Sequence, residues 1–304
     1  MTIDDGLMCE NGDPADANGN CDGDTSNSEI GGGDLIVSNE TKRRALKVNL
    51  NLTRDQINWI ANDANIYQVG LIYDYLQNNQ FDGVYFPEAV SFASLAVSTW
   101  TENTNASVNF EEQIINELTG KAECAYDKLI SSSISNYHSM ITDLFIEFGN
   151  NNIEGRDLTF KMSTSLPNTV GGRTLVDSNG DYHILINSNL MNTLSSIEVA
   201  AIIIHEIAHA FLGKHYSDSN ATFKELYKRY INDTGIKNYS HDIMRDQFIN
   251  RMATVLRNYD TTIFSAFEEY KILASQGVFK LSTSQSQALT NAKITARNND
   301  TNCD

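Results

Sequence analysis

Apolar and polar residues alternate with three successive periods along this chain. From Thr53 to about residue 150 the apolar positions recur at three- and four-residue steps, through "INWIANDANIYQVGLIYDYLQ", "PEAVSFASLAVSTW" and "AECAYDKLISSSISNYHSMITDLFIEF". That spacing predicts helices. Thr53 and Gln56 make a capping box ahead of the first, Pro87 can open the second, and a further helix is expected to begin near Phe110. Between 157 and 187 the period falls to two. "DLTFKM" (157–162), "GRTLVD" (172–177) and "YHILIN" (182–187) read as strands, with Asn179-Gly180 as a two-residue hairpin turn between the last two. Helical spacing returns at Ser195, which forms a second capping box with Glu198, and Gly213 is placed to end that helix. More helices are expected from about Thr222, over 240–259, near 262–276 and near 284–297. In "SHDIMRDQFINRMATVLRNY" the residues His241, Met244, Phe248, Met252 and Val255 share one face. The order predicts an α+β fold, with a helical N-terminal part, a small sheet and a helical C-terminal part.

Residues 1–40 lie outside this patterning. They are rich in Asp, Asn, Gly and Ser and nearly free of large apolar side chains, so they cannot supply a packed core. Within them Asn18, Asn20, Asp22, Gly23 and Glu29 fall at the first, third, fifth, sixth and twelfth places of a calcium loop. Asn at the first place weakens the match, and no helical pattern flanks it, so the alternatives are a weak calcium site and a flexible acidic linker. The formal net charge of −17 argues against a nucleic-acid partner and against an anionic membrane surface. No apolar run approaches the ~20 residues of a membrane span. The first residues, "MTIDDGLMCENGDP", lack the basic and apolar regions of a signal peptide, which leaves a cytoplasmic protein or a piece of a longer exported one. Cys9, Cys21, Cys124 and Cys303 form no CxxC pair, which disfavours a cysteine zinc site. Their even number is compatible with two disulfides and with four thiols.

The chemistry is concentrated in "AAIIIHEIAHAFLGKHY", residues 200–216. His205-Glu206-Ile207-Ala208-His209 is HExxH on an apolar helix. Two imidazoles four residues apart lie on one face, at a spacing that lets both bind one zinc. Coordination offsets the ~1–3 kcal/mol that an unpaired buried polar group costs. Glu206 follows the first ligand and can act as general base toward a water whose pKa zinc lowers from ~15.7 towards ~7. A strand beside such a helix can hold an extended polypeptide by backbone pairing, and "YHILIN" is placed for that role.

Catalytic zinc needs three protein ligands. His215 completes the HExxHxxxxxH spacing of metzincins, yet the glycine that should follow the second histidine by three residues is Leu212 here, and Gly213 comes one residue late. His241 has the better physical case, because it heads a helix in line with Met244, Phe248 and Met252. Asp242, Glu225 and Glu268 are carboxylate alternatives. His138 and His183 read as ordinary surface or core histidines.

The segments "KAECAYDKL", "IEVAAIIIHEIAHAFL" and "SHDIMRDQFINRMATVLRNYD" resemble the metallopeptidase-like segment near the C-termini of many exported Bacteroidota proteins. The matching residues are Lys121 to Leu129, His205 to Ala210, His241 with Met244, and Tyr259-Asp260; "LTRDQINWIAND" resembles the stretch that precedes that segment. The resemblance covers about residues 50–304. The expected division is a zincin-like domain over 121–304 and a helical region over 49–120, both within the resemblance, preceded by an acidic flexible segment over 1–48 that composition sets apart. The resemblance also implies His241 as third zinc ligand beside His205 and His209, and a secreted or cell-surface location. HExxHAF is similar to SprT-like zinc proteins too, but their third histidine comes sooner and their DNA-binding surface is basic. The reading is a zinc peptidase acting on polypeptide. Its alternatives are a zinc-binding surface module without turnover and a toxin-like peptidase with one target.

Overall fold

The computed structural model describes residues 37–111, 113–134, 157–216, 225–226, 228–229, 241–278, 280–300 and 302–303, without the side chains of 132–134, 215 and 241–248. The chain divides into two units, residues 1–41 and 42–304, and the second carries the sheet and the apolar cores. The fold is α+β: nine α-helices and a mixed five-stranded sheet among the described residues. The calcium-loop residues Asn18 to Glu29, together with Cys9, Cys21 and His138, lie outside them.

Helix α1 (Asn39–Asn49) leads to α2 (Arg54–Ala61), which opens on the expected box: the Gln56 N–H donates to Thr53 Oγ1, and the Thr53 N–H donates to Gln56 Oε1 at 2.8 Å. The single helix expected over 57–77 is broken. Asn62 takes extended backbone and its side chain accepts the Ala64 N–H at 3.1 Å, giving the chain a local alternative to the helix. A 3₁₀ turn (Asp63–Asn65) then leads into α3 (Ile66–Asn78). Strands β1 (Gln80–Phe81) and β2 (Val84–Tyr85) form a hairpin whose Asp82 and Gly83 both have positive φ, 51° and 79°, as a type I′ turn requires. Pro87 opens α4 (Pro87–Glu102). The helix expected near Phe110 is instead a hairpin of β3 (Ser107–Asn109) and β4 (Ile114–Glu117). The pleat sends Ile114 and Ile115 to opposite faces, and each joins a different core. The core on the Ile115 side holds Phe92, Trp100 and the α2–α4 side chains, with Trp59 stacked on Trp100 at 6.0 Å.

The Ile114 core holds the candidate site. Helix α5 (Lys121–Ile134) is followed by β5 (Leu158–Ser163), β6 (Gly172–Val176) and β7 (Tyr182–Asn187), close to the expected strand limits. The order is β3-β4-β5-β7-β6, with β4, β5 and β7 parallel and β6 antiparallel to β7. This corrects the role expected of 182–187. β7 is paired on both sides, so "YHILIN" has no free edge, and the edge strand beside it is β6. The β6–β7 connection is also longer than two residues. Val176 pairs with Tyr182, and the Asp177 carboxylate accepts the N–H groups of Asn179 (2.8 Å) and Asp181 (3.0 Å) across the loop between them.

Leu158, Phe160, Tyr182, Ile184 and Ile186 project from one face of the sheet into the core that α6 (Ser196–Tyr216) crosses. Ser195 and Glu198 cap this helix as expected. Gly213 does not end it. The helix runs on to Tyr216, and Gly213 is where it meets the Tyr182 ring, since a Cβ there would lie 3.1 Å from Tyr182 Oη. By length and composition Ser196–Lys214 could cross a bilayer, but 78% of it is buried inside the fold. Ile203, Ile204, Ile207 and Leu212 are fully buried, each contributing about 1.5–3 kcal/mol. Helices α7 (His241–Tyr259), α8 (Phe267–Ala274) and α9 (Thr283–Asn299) come next, with Met252 and Val255 buried on the α7 face that the spacing marked. The helical pattern expected from Thr222 falls mostly outside the described residues, of which 225–226 and 228–229 are helical.

The C-terminus returns to the start of α6. Asp300 Oδ2 accepts the Ile197 N–H at 2.7 Å and the Ser196 hydroxyl, and Arg297 forks onto Glu198 at 2.9 Å through Nε and Nη2. A disulfide between Cys124 and Cys303 ties the last residues to α5.

Candidate metal centre

Four residues of helix turn His205 and His209 onto one face of α6, and their Nε2 atoms come within 3.1 Å. Two nitrogens bound to one tetrahedral zinc at 2.0–2.1 Å sit about 3.3 Å apart. The pair is therefore almost at chelating separation, and the donor set fits the metal. Without metal the same approach suits an N–H···N hydrogen bond between neutral rings. Both rings are held neutral: burial, with the neighbouring His209, lowers His205 to about 3, and burial lowers His209 to about 4. Neutral imidazole is the form that binds a metal.

Glu206 is 6% exposed and faces the edge strand. Thr174 Oγ1 lies 2.8 Å from Glu206 Oε2 and 2.9 Å from its main-chain oxygen. Burial raises the Glu206 carboxyl to about 7, against the opposing hydrogen bonds of Thr174 and the charge of Arg173. Glu206 and His205 open on one cleft of about 220 Å³, bounded by 169–172, α6 and the turn after α8. Val170, Ile202 and Leu273 give it apolar walls, and Gln276 a polar one. In that turn Gly277 has φ +77°, and a Cβ on it would lie 3.1 Å from His205 Cε1. A larger cavity, of about 600 Å³ beside Lys271, Lys280 and Gln285, contains none of the three motif residues.

The fold thus brings His205, Glu206 and His209 together. The third-ligand candidates are placed less fully. His241 is the first residue of α7, but its side chain lies outside the described residues, as do those of His215 and Asp242. Glu225 is exposed, and Glu268 lines the larger cavity, where Lys271 pairs with it at 3.2 Å. Among the described residues no group of three His, Cys, Asp or Glu side chains converges. His183 pairs with Asp177 at 3.4 Å, away from the motif.

Sequence patterning alone does not single out Gly172, Thr174 or Gly277. The paired glycines before "RTLVD" are the one available signal, because tandem glycine at a strand start often marks a close backbone approach. Nothing local links Thr174 to a residue 32 positions later. Comparison with family models, with curated proteins and with solved structures gives no match.

Proposed function

We propose that the protein is a zinc-dependent peptidase with a zincin-like arrangement, His205 and His209 holding the metal and Glu206 serving as general base. The observation that carries the reading is the approach of two Nε2 atoms, His205 and His209, beside a cleft that His205 and the buried Glu206 carboxylate line next to a strand edge. Zinc bound there would supply a Lewis acid that polarises a carbonyl and acidifies water. His241 is proposed as third ligand, on the resemblance and on its place at the head of α7.

The chain's own groups account for the remaining tasks. Glu206, raised to about 7, is poised to take a proton from water in the cleft and return it to a leaving amine. An extended polypeptide can pair with the outer edge of β6, the terminal strand of the sheet. The apolar walls at Val170, Ile202 and Leu273 exclude water around the reacting bond. The Cys124–Cys303 disulfide favours an oxidising compartment, in keeping with a secreted or cell-surface protein. A zinc module without turnover would have no use for a carboxylate held in the cleft, so Glu206 favours the peptidase.

The test is cleavage of casein and of a proteome-derived peptide mixture by zinc-loaded protein, with Glu206→Gln as control. Metal-dependent cleavage that disappears in the variant is the expected result. Binding of zinc without any cleavage would leave the surface-module reading in its place.

A further inference from the structure

We propose that Gly172 and Thr174 form a seat that aims the Glu206 carboxylate, holding Oε2 on the strand and turning Oε1 to the cleft. Only the catalytic consequence of this seat rests on the peptidase reading; the seat itself is a matter of packing. Residues 172, 174 and 176 share one face of β6, the face toward α6. At 172 a Cβ would lie 2.8 Å from Glu206 Cγ, 2.9 Å from Ile202 Cγ2 and 3.2 Å from Glu206 Oε1. The Glu206 side chain therefore occupies the space that a side chain on the strand would need.

Two residues on, the Thr174 hydroxyl stands between the main-chain oxygen and Oε2 of the same glutamate. A hydroxyl carries one proton and two acceptor sites. Donating to Oε2 fixes the carboxylate against rotation about its last torsion, which is otherwise broad and two-fold. The β-branch of threonine restricts the hydroxyl to few positions, so little order is lost when it engages. The Thr174 backbone N–H reaches the same carboxylate, while Oε1 lies on the Gly172 side, and Gly172 and Glu206 both line the cleft. The strand that would carry the substrate on its outer edge thus orients the base with its inner face. Thr174 is a positioning residue acting through Glu206.

The experiment pairs Thr174→Val, which keeps shape and removes the hydroxyl, with Thr174→Ser, which keeps the hydroxyl. In metal-free crystals the carboxylate should stay within about 3.2 Å of the residue-174 hydroxyl in wild type and Thr174→Ser, and turn away in Thr174→Val. In zinc-loaded protein Thr174→Val should lower kcat about 10- to 100-fold at unchanged KM and zinc content, with Thr174→Ser restoring most of it. A carboxylate unmoved in Thr174→Val crystals, or wild-type kcat in that variant, would overturn the proposal. Wild-type protein that binds zinc and cleaves nothing would instead sink the peptidase reading, while the metal-free crystals would still decide the seat.

Discussion

Helix α6 buries polar groups at two places, and the fold treats them differently. In the first turn each meets its complement: Asp300 takes the Ile197 N–H and the Ser196 hydroxyl, and Glu198, 3% exposed, takes the Arg297 fork. Burial alone would raise the Asp300 carboxyl, but hydrogen bonds from Ser196, Asn302 and Ile197 outweigh it and hold it below the usual range. Two turns later, burial is the largest influence on His205, Glu206 and His209, and their proton affinities move accordingly. The first cluster is complete within the chain, which marks it as structural. In the second, burial outweighs the hydrogen bonds that Glu206 receives, and His205 and Glu206 open on a cleft, a setting that favours an external ligand.

Breaking the second cluster should cost most. Glu206→Gln is expected to keep zinc and lower hydrolysis by about 10²–10⁴-fold, read from steady-state kinetics beside metal analysis. Unchanged turnover in that variant would reject Glu206 as the base. The ligand set gives the next largest effect. His241→Ala should weaken zinc binding by about 3 kcal/mol or more. His215→Ala should change it by less than about 0.5 kcal/mol. Competition with a chelator of known affinity measures both, and the reverse order would make the site metzincin-like.

The first cluster should respond in stability and not in metal content. Asp300→Ala removes the cap on Ile197 and is expected to cost about 1–3 kcal/mol in denaturant unfolding, with zinc per chain unchanged. Metal lost along with stability would show that the two clusters are coupled.

A third buried carboxyl sharpens the contrast. Asp157 directly precedes β5, 4% exposed, and burial and then the nearby Asp181 push it up to about 8, against the charge of Lys214. A carboxyl raised in the folded state stabilises fully below its unfolded value near 4, and that contribution is lost as pH rises through about 8. Stability should therefore fall between those limits in wild type, and Asp157→Asn should flatten the profile and gain about 1–2 kcal/mol at pH 8. Urea midpoints across pH measure it, and a parallel fall in the variant would contradict it.

What could be read from the sequence was whatever local geometry decides. The Thr53–Gln56 and Ser195–Glu198 boxes, Pro87 at a helix start and the period-two strands all needed only neighbouring residues, and the fold has each. Asn62, inside an unbroken apolar pattern, diverted the chain through its own side chain. Asp82-Gly83 marked a hairpin in the sequence, but the helical period around it drowned the signal. Strand order was beyond reach, because "YHILIN" becomes central only when β5 pairs with it from the other side. Gly213 read as a stop signal, whereas its actual role is contact with Tyr182, a residue far away in sequence. For the site, HExxH itself was legible through helical spacing. The seat on β6 was not, since Thr174 and Glu206 meet only after the sheet packs on α6.

The central claim is that His205 and His209 hold a zinc ion, and metal stoichiometry tests it most directly. Wild-type protein loaded with zinc and dialysed should retain about one zinc per chain, and His205→Ala, still folded by circular dichroism, should retain almost none. Wild-type protein that emerges from the same dialysis without zinc, or His205→Ala that keeps it, would contradict the account.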